Sequence, residues 1–378
     1  MVRRERCMGV NGKMMSISYK YFKILLIFIV LLLASCSSKQ SKPNLDKKSI
    51  SLTIGYQTPT AQTWGATIIK NQKIFEKKLL EMYPDAEIEI QWFNSSSGVP
   101  LVNAMSSGKV QIAFLGDMPA LLAGAKSVEL EQLDAKIVAI DGKGKNGMNQ
   151  SIIAPIDGIN DISQLKGKEV SVPYGSSAHK MLLQTLKSNN LLNKVTIIDQ
   201  SVAVGLENVN TGKIAAHATW EPYPTMAIKQ GKAKILFKGE DTKVDYLSAV
   251  VVNKKWVDEE NEEILITFLE SLNEAHKLIF NKPDKAAEIF HIETGYDKEI
   301  TKELVKSIRF DSAIYHKDLK TFEGSIKFLI EVGVIDKEYN IKDLIDDSYL
   351  RKAVEKNGSK YLTEEEYKGE HWIEDKIY

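Results

Sequence analysis

The chain has 378 residues, is 43% hydrophobic, and balances 50 basic against 50 acidic residues for a formal net charge of zero. That length exceeds what one core usually serves, the apolar fraction is that of a soluble globular protein, and the absence of a basic surplus argues against nucleic-acid binding. With only Cys7 and Cys36, a disulfide framework is excluded.

At the N-terminus, Lys20 and Lys23 precede an uncharged apolar run over 24–34 that ends at Leu33-Ala34-Ser35-Cys36. At roughly eleven residues the run is too short for a bilayer, which needs about twenty, but it suits a signal peptide. Its ending resembles a bacterial lipobox. That resemblance implies that residues 1–35 are a lipoprotein signal peptide and that Cys36 is the lipidated mature N-terminus, anchored to the cell membrane. Residues 36–49 then read as a flexible tether. Loss of the first 35 residues leaves 44 basic and 49 acidic residues, a mildly acidic mature chain.

Beyond the tether, β-branched or alternating runs predict strands over 51–56, 86–92, 110–115 and 136–140. Helical patterns follow the first three, one running to about residue 82, one carrying Leu101, Ala104 and Met105, and one opening at Gly116-Asp117-Met118-Pro119. The second half repeats the theme with extended segments over 150–154, 169–173, 195–198, 214–218, 234–237 and 246–252, before a largely helical region over 258–346. Strands alternating with helices predict an α/β fold with parallel sheets and ligand sites beyond their carboxyl edges. The two extended segments that bracket the middle unit suggest one lobe over 50–149 and 253–350, a second over 150–252, and two crossing strands between them. Residues 351–378, rich in glutamate, read as a solvated acidic tail.

Several motifs fail on context. Gly142-Lys143-Gly144-Lys145-Asn146-Gly147 fits G-x-G-x-x-G, but an extended run follows it where a dinucleotide site needs a helix, so it reads as a flexible loop. Ser177-Ala178-His179-Lys180 fits the S-x-x-K of serine acyl enzymes, yet no K-T-G or S-D-N partner is present. The six histidines are too far apart in sequence for a helical metal pair, so neither a metal nor a cofactor is expected. His217, inside an apolar strand, reads as a core residue, while His179 in the first turn of its helix is a candidate ligand contact.

What survives is a set of polar helix openings after Tyr56, Leu115 and Tyr174, with Trp220-Glu221 at a fourth strand end. The stretch Val172-Pro173-Tyr174-Gly175-Ser176-Ser177-Ala178-His179 is the centre of the set: a strand, a tight glycine loop, then a helix N-terminus that attracts negative charge. The mature chain has only two arginines, Arg309 and Arg351, so an anion there depends on amides, hydroxyls and a lysine. A helix terminus contributes about 0.3–1 kcal/mol to a surface charge and up to about 2 when partly buried, so several converging termini suffice for a desolvated anion.

In this order, Ile54-Gly55-Tyr56-Gln57, Ser107-Gly108-Lys109-Val110-Gln111-Ile112-Ala113 before Gly116-Asp117-Met118-Pro119, the Val172–His179 stretch, and Ala218-Thr219-Trp220-Glu221-Pro222-Tyr223 resemble the nitrate, aliphatic sulfonate and taurine substrate-binding proteins of ABC importers. The resemblance covers about residues 50–350 and implies the type II periplasmic-binding fold. It implies that Gln57, the Asp117-Met118 amides, Ser176, Ser177 and the Trp220-Glu221 pair line an anion pocket, with Gly175 and His179 beside them. It further implies an extracytoplasmic monomer that delivers a small anionic solute to a membrane permease with its ATPase and performs no chemistry. Glu221 before Pro222 reads as a helix cap; facing the cleft, it favours a ligand that also carries an amine, such as taurine. A sulfonate fits the room beside Gly175-Ser176-Ser177 better than nitrate does. The rivals are an enzyme on the same fold, of the pyrimidine synthase or menaquinone-pathway type, and an extracytoplasmic sensor lobe.

Overall fold

The computed structural model describes residues 48–378, so the expected signal peptide, Cys36 and most of the expected tether lie outside the described residues. Eleven strands alternate with fourteen helices among the described residues, and the strands form two mixed sheets. The first half of the chain gives β1 (Ser49–Tyr56), α1 (Trp64–Gln72), α2 (Ile74–Met82), β2 (Glu87–Asn94), α3 (Gly98–Ser106), β3 (Ile112–Gly116), α4 (Asp117–Glu129) and β4 (Ala135–Gly144). The middle gives β5 (Gln150–Pro155), β6 (Glu169–Val172), α5 (Ser177–Ser188), β7 (Thr196–Asp199), α6 (Val202–Asn210), β8 (Ala216–Trp220), α7 (Tyr223–Lys229) and β9 (Ala233–Lys238). The remainder is β10 (Tyr246–Asn253), α8 (Glu259–Asn281), α9 (Pro283–Thr294), α10 (Lys298–Ser307), β11 (Arg309–Phe310), α11 (His316–Glu331), α12 (Ile341–Leu344), α13 (Ser348–Lys356) and α14 (Glu364–Lys368).

The first sheet runs β11-β4-β10-β3-β1-β2 and the second β7-β6-β8-β5-β9. In the first, β1 is parallel to β2 and β3, whereas β10 is antiparallel to both β3 and β4. In the second, β6 is parallel to β7 and β8, and β5 is antiparallel to β8 and β9. The parallel pairing expected from alternating strands and helices is present, and β10 and β5 add antiparallel pairs that make both sheets mixed. The 150–252 boundary also shifts, because residues 246–253 form an interior strand of the first sheet and do not cross to it from the second. The actual connections are short, through turns at Lys145–Gly147 and Gly239–Thr242. Asp245 secures them: its Oδ1 accepts from Asn146 N at 2.8 Å and its Oδ2 pairs with Lys317 Nζ at 2.6 Å.

Both faces of each sheet are covered, as continuous apolar runs require. Leu52, Ile54, Phe114 and Val250 pack with α1, α2 and α8 on one face of the first sheet, while Leu115, Ile140 and Val251 pack with α3, α4 and α11 on the other. Ile152, Val172, Ala218 and Trp220 pack beneath α5 in the second. Gly55 permits the close approach of β1, since a Cβ there would lie 3.0 Å from Leu101 and 3.1 Å from Val110.

Two sequence readings change here. Lys143 and Gly144 are the end of β4 and not part of a flexible loop. Lys143 is fully buried, paired with Asp311 at 3.4 Å and Asp318 at 3.3 Å, and donates to Ala313 O at 2.7 Å. The expected solvated tail is instead docked: Tyr361, Leu362 and Tyr378 are buried in the first core, and Trp372 Nε1 donates to Asp318 Oδ1 at 2.8 Å. The Arg309 guanidinium holds the same segment by donating to Ile373 O.

Candidate functional site

The carboxyl ends of β1, β3, β6 and β8 meet where the two sheets touch. Trp220 Nε1 donates to Thr60 Oγ1 at 3.0 Å and Ala61 N donates to Glu221 O at 3.2 Å, so the β8 end is tied to the loop after β1. Gly116 faces the start of α5 so closely that an added Cβ would lie 2.4 Å from Ser177 Oγ. Gly175, at φ +73°, lies against α3 and α4, where a Cβ would be 2.6 Å from Val99 and 3.2 Å from Leu122. Glycine is required there for its positive φ as well as for space.

The predicted residues divide into those that face this seam and those already occupied. Ser177 is buried, and its Oγ has no hydrogen-bond partner among the described residues. Ser176, its neighbour, is the N-cap of α5: its Oγ accepts from His179 N at 3.2 Å and donates to Pro173 O at 2.6 Å. Gln57 donates Nε2 to Phe114 O at 2.9 Å, which ties the end of β1 to β3. His179 accepts from Gly175 N at 3.2 Å through Nδ1 and stacks on the Tyr174 ring at 4.8 Å. At the α4 N-terminus Asp117 Oδ1 accepts from Met118 N at 2.7 Å, and the Met118 side chain is in the core. Glu221 Oε2 accepts from Thr225 N at 3.3 Å, but Pro222 and not Glu221 holds the N-cap position of α7, so the expected cap with proline in the first turn is displaced by one residue.

Sequence reasoning missed five residues at the seam: Gln62, Gln150, Lys180, Tyr246 and Ser248. Register brings them in, with Ser248 opposite Gly116 on β10 and β3, and Gln150 opposite Trp220 on β5 and β8. Ser177, Ser248 and Gln150 lie near the Tyr246 hydroxyl, yet Ser177 Oγ, Ser248 Oγ and Gln150 Nε2 make no hydrogen bond with normal geometry. Gln62 donates Nε2 to Tyr246 O at 3.3 Å and leaves its Oε1 unpartnered. Buried polar atoms are nearly always paired, so this grouping of orphans on facing elements makes the seam the candidate site. Lys180 reaches from α5 to Asp117 on α4 and donates to Ser325 Oγ at 3.2 Å. The available signals were a serine inside the apolar run of β10 and a lysine three positions after Ser177, on the same helix face.

Burial sets the charge states. It raises the Tyr246 phenol, reinforced by Asp117, so the hydroxyl stays a donor. It pushes His179 and His217 down to about 4, so both are neutral at pH 7; His217 is a core residue, its Nδ1 2.8 Å from Ser171 Oγ. It pushes Glu221 up to about 7 from the ordinary 4.5. Between these values the unfolded chain has released that proton and the folded chain keeps it, so the Glu221 contribution to stability falls as pH rises. The two histidines act in the opposite sense, weakening the fold as pH drops below 6.5. The Glu221→Gln variant should therefore gain on the native protein between pH about 5 and 7, read as the difference between their thermal midpoint profiles. A flat difference removes Glu221 from this account.

A groove of about 1050 Å³ lies elsewhere, between Phe280, Lys306 and the docked C-terminal segment, and includes none of the predicted site residues. Its Arg309 and Lys317 are already paired with Asp311 and Asp245. Among the described residues no cluster of histidine, cysteine or acidic side chains is arranged to hold a metal ion.

Two sheets joined by a double connection, with their carboxyl edges facing across a seam, are the periplasmic-binding-protein fold. The model of the NMT1/THI5-like family matches residues 81–286, more than half of the chain, and the chain belongs to that family. A putative aliphatic sulfonates-binding protein of Bacillus subtilis is 26% identical over 340 residues, covering 89% of this chain and 97% of the relative. The taurine-binding periplasmic protein of Escherichia coli is 25% identical, covering 63% and 69% respectively. Among solved structures, the alkanesulfonate-binding protein SsuA from Xanthomonas axonopodis pv. citri, bound to MOPS, superposes with a TM-score of 0.67 at 19% identity, covering 78% of this chain and 97% of that one. The periplasmic nitrate-binding protein NrtA from Synechocystis gives 0.64 at 14% identity, covering 82% and 89%.

Proposed function

We propose that the protein is an extracytoplasmic solute-binding protein of an ABC importer that takes a small anionic solute, an aliphatic sulfonate, between its two sheets and delivers it to a permease driven by an ATPase. The observation that carries this reading is the convergence of unpartnered, buried, uncharged donors, Ser177, Ser248 and Gln150, around the Tyr246 hydroxyl at the seam. Such groups hold an oxyanion through hydrogen bonds that sharpen in a desolvated site. Trp220 offers a flat apolar wall for a short alkyl body. Sulfonate-binding relatives over nearly the whole chain support the same reading. In this proposal Cys36, by its lipobox, carries the membrane anchor, and the protein works as a monomer. Each sheet alone offers half of the site, so the ligand favours the closed arrangement through its differential affinity. Titration calorimetry of the mature protein against alkanesulfonates, taurine, nitrate and sulfate should find micromolar or tighter binding of a sulfonate. Heat from none of them overturns the proposal.

A further inference from the structure

The seam contains two carboxylates, Asp117 and Glu221, and of these Asp117 is the one that is ion-paired among the described residues. Asp117 is fully buried, with Oδ1 on Met118 N and Oδ2 on Lys180 Nζ. Lys180 is itself 2% exposed and comes from the opposite sheet's helix, so the pair is sealed between α4 and α5. Glu221 Oε2 accepts from Thr225 N four residues on, and burial holds its carboxyl toward the neutral form, so it offers an ammonium little counter-charge. The unpartnered groups that remain, Ser177, Ser248, Gln150 and Gln62, are all uncharged.

We infer that Lys180 is a positioning residue that sets specificity: by occupying Asp117 it closes the site to solutes bearing an ammonium group and leaves it selective for small monoanions with an apolar tail. This inference rests on the function proposed above and names the solute class within it. A zwitterion such as taurine must bury its ammonium as well as its sulfonate, and an ion buried without a counter-charge is strongly penalised. Asp117 becomes available to that ammonium only if it gives up Lys180, which would then be the unpaired buried ion. A methyl group in place of the ammonium meets no such conflict and gains from apolar burial.

Taurine and 1-propanesulfonate are the test pair, since they differ by an ammonium against a methyl at the same position. Calorimetry on the native protein should show 1-propanesulfonate binding about tenfold or more tightly than taurine. In Lys180→Met, with Asp117 released, the ratio of the two affinities should move toward taurine by about tenfold or more. A merely structural lysine would weaken both ligands together and leave their ratio unchanged. Asp117→Asn keeps the test open should Lys180→Met not fold: it frees the lysine, so it should tighten 1-propanesulfonate while still rejecting taurine. A native preference for taurine, or a ratio unmoved in both variants, overturns the inference and leaves sulfonate binding intact. Binding of no sulfonate at all overturns the proposed function, and the inference with it.

Discussion

Replacing Ser177 with alanine and Gln150 with leucine in one protein should abolish high-affinity ligand binding while raising, or at least holding, the stability of the unliganded protein. The two effects have one cause. Ser177 Oγ and Gln150 Nε2 are buried without partners, and each such group costs the fold about 1–3 kcal/mol. Removing both relieves that cost, and leucine matches glutamine closely in volume. The same atoms are the donors that a bound oxyanion would satisfy, at about 1.5–3 kcal/mol for each bond to a charged group. Their joint loss should weaken binding by about a hundredfold or more. Thermal denaturation and calorimetry on the same preparations read the two arms separately. Lower stability of the unliganded double variant by more than about 1 kcal/mol would mean that these groups are satisfied in the free protein, and the seam would lose its claim as a binding site. Ser176→Ala provides the contrast, since it removes the α5 cap and should cost about 1 kcal/mol of stability.

The largest loss of stability is expected from Lys143→Met. Lys143 is fully buried at the end of β4, between Asp311 and Asp318, over the Tyr315 ring at 4.4 Å and beneath Trp372 at 5.4 Å. Methionine fills the stem of the lysine but, among the described residues, leaves Asp311 paired with Arg309 and Asp318 without an ion-pair partner. Breaking a buried ion pair from one side costs about 3–5 kcal/mol, because the abandoned charge stays desolvated. In a chain of this size that corresponds to a fall of about 4–7 °C in thermal midpoint. Urea unfolding followed by tryptophan emission is the suitable measurement, since Trp372 donates to Asp318 and should report the loosening of the C-terminal segment. A loss under about 1 kcal/mol would show that the two acids are adequately held by their other donors.

Much of this fold is legible in the sequence where apolar runs end at glycine, serine or proline. The strands expected over 110–115, 150–154, 169–173 and 195–198 appear as Ile112–Gly116, Gln150–Pro155, Glu169–Val172 and Thr196–Asp199. The helix openings at Asp117 and Ser177 also fall where composition placed them. Sheet membership was not legible, because Tyr246–Asn253 has the same apolar character whichever sheet receives it. Lys143 was read as a loop residue because a lysine is prohibitive in a strand until its acids are known, and those acids come more than a hundred and sixty positions later in the chain. The C-terminal segment was judged by its glutamates, while Tyr361, Trp372 and Tyr378 carried the packing. At the site, motif reasoning named Ser177 and Trp220 at the seam together with Ser176, Gln57 and the Met118 amide, each of which makes a hydrogen bond within the fold. Gln150, Tyr246 and Ser248 reach the seam only through strand register, which a single sequence does not display.

The interrupted first sheet also constrains the order of assembly. β10 fills the slot between β3 and β4, yet it enters the chain only after the entire second sheet has been made. The segment from Gln150 to Lys238 is continuous, carries its own core clusters, and begins and ends on the paired strands β5 and β9. It therefore has the makings of an early-forming nucleus, whereas the first sheet must wait for a ring closure spanning that whole insert. Until β10 arrives, β3 and β4 have bare margins ready to zip onto a neighbouring nascent chain, and a polypeptide halted before residue 246 is a seed for precipitation.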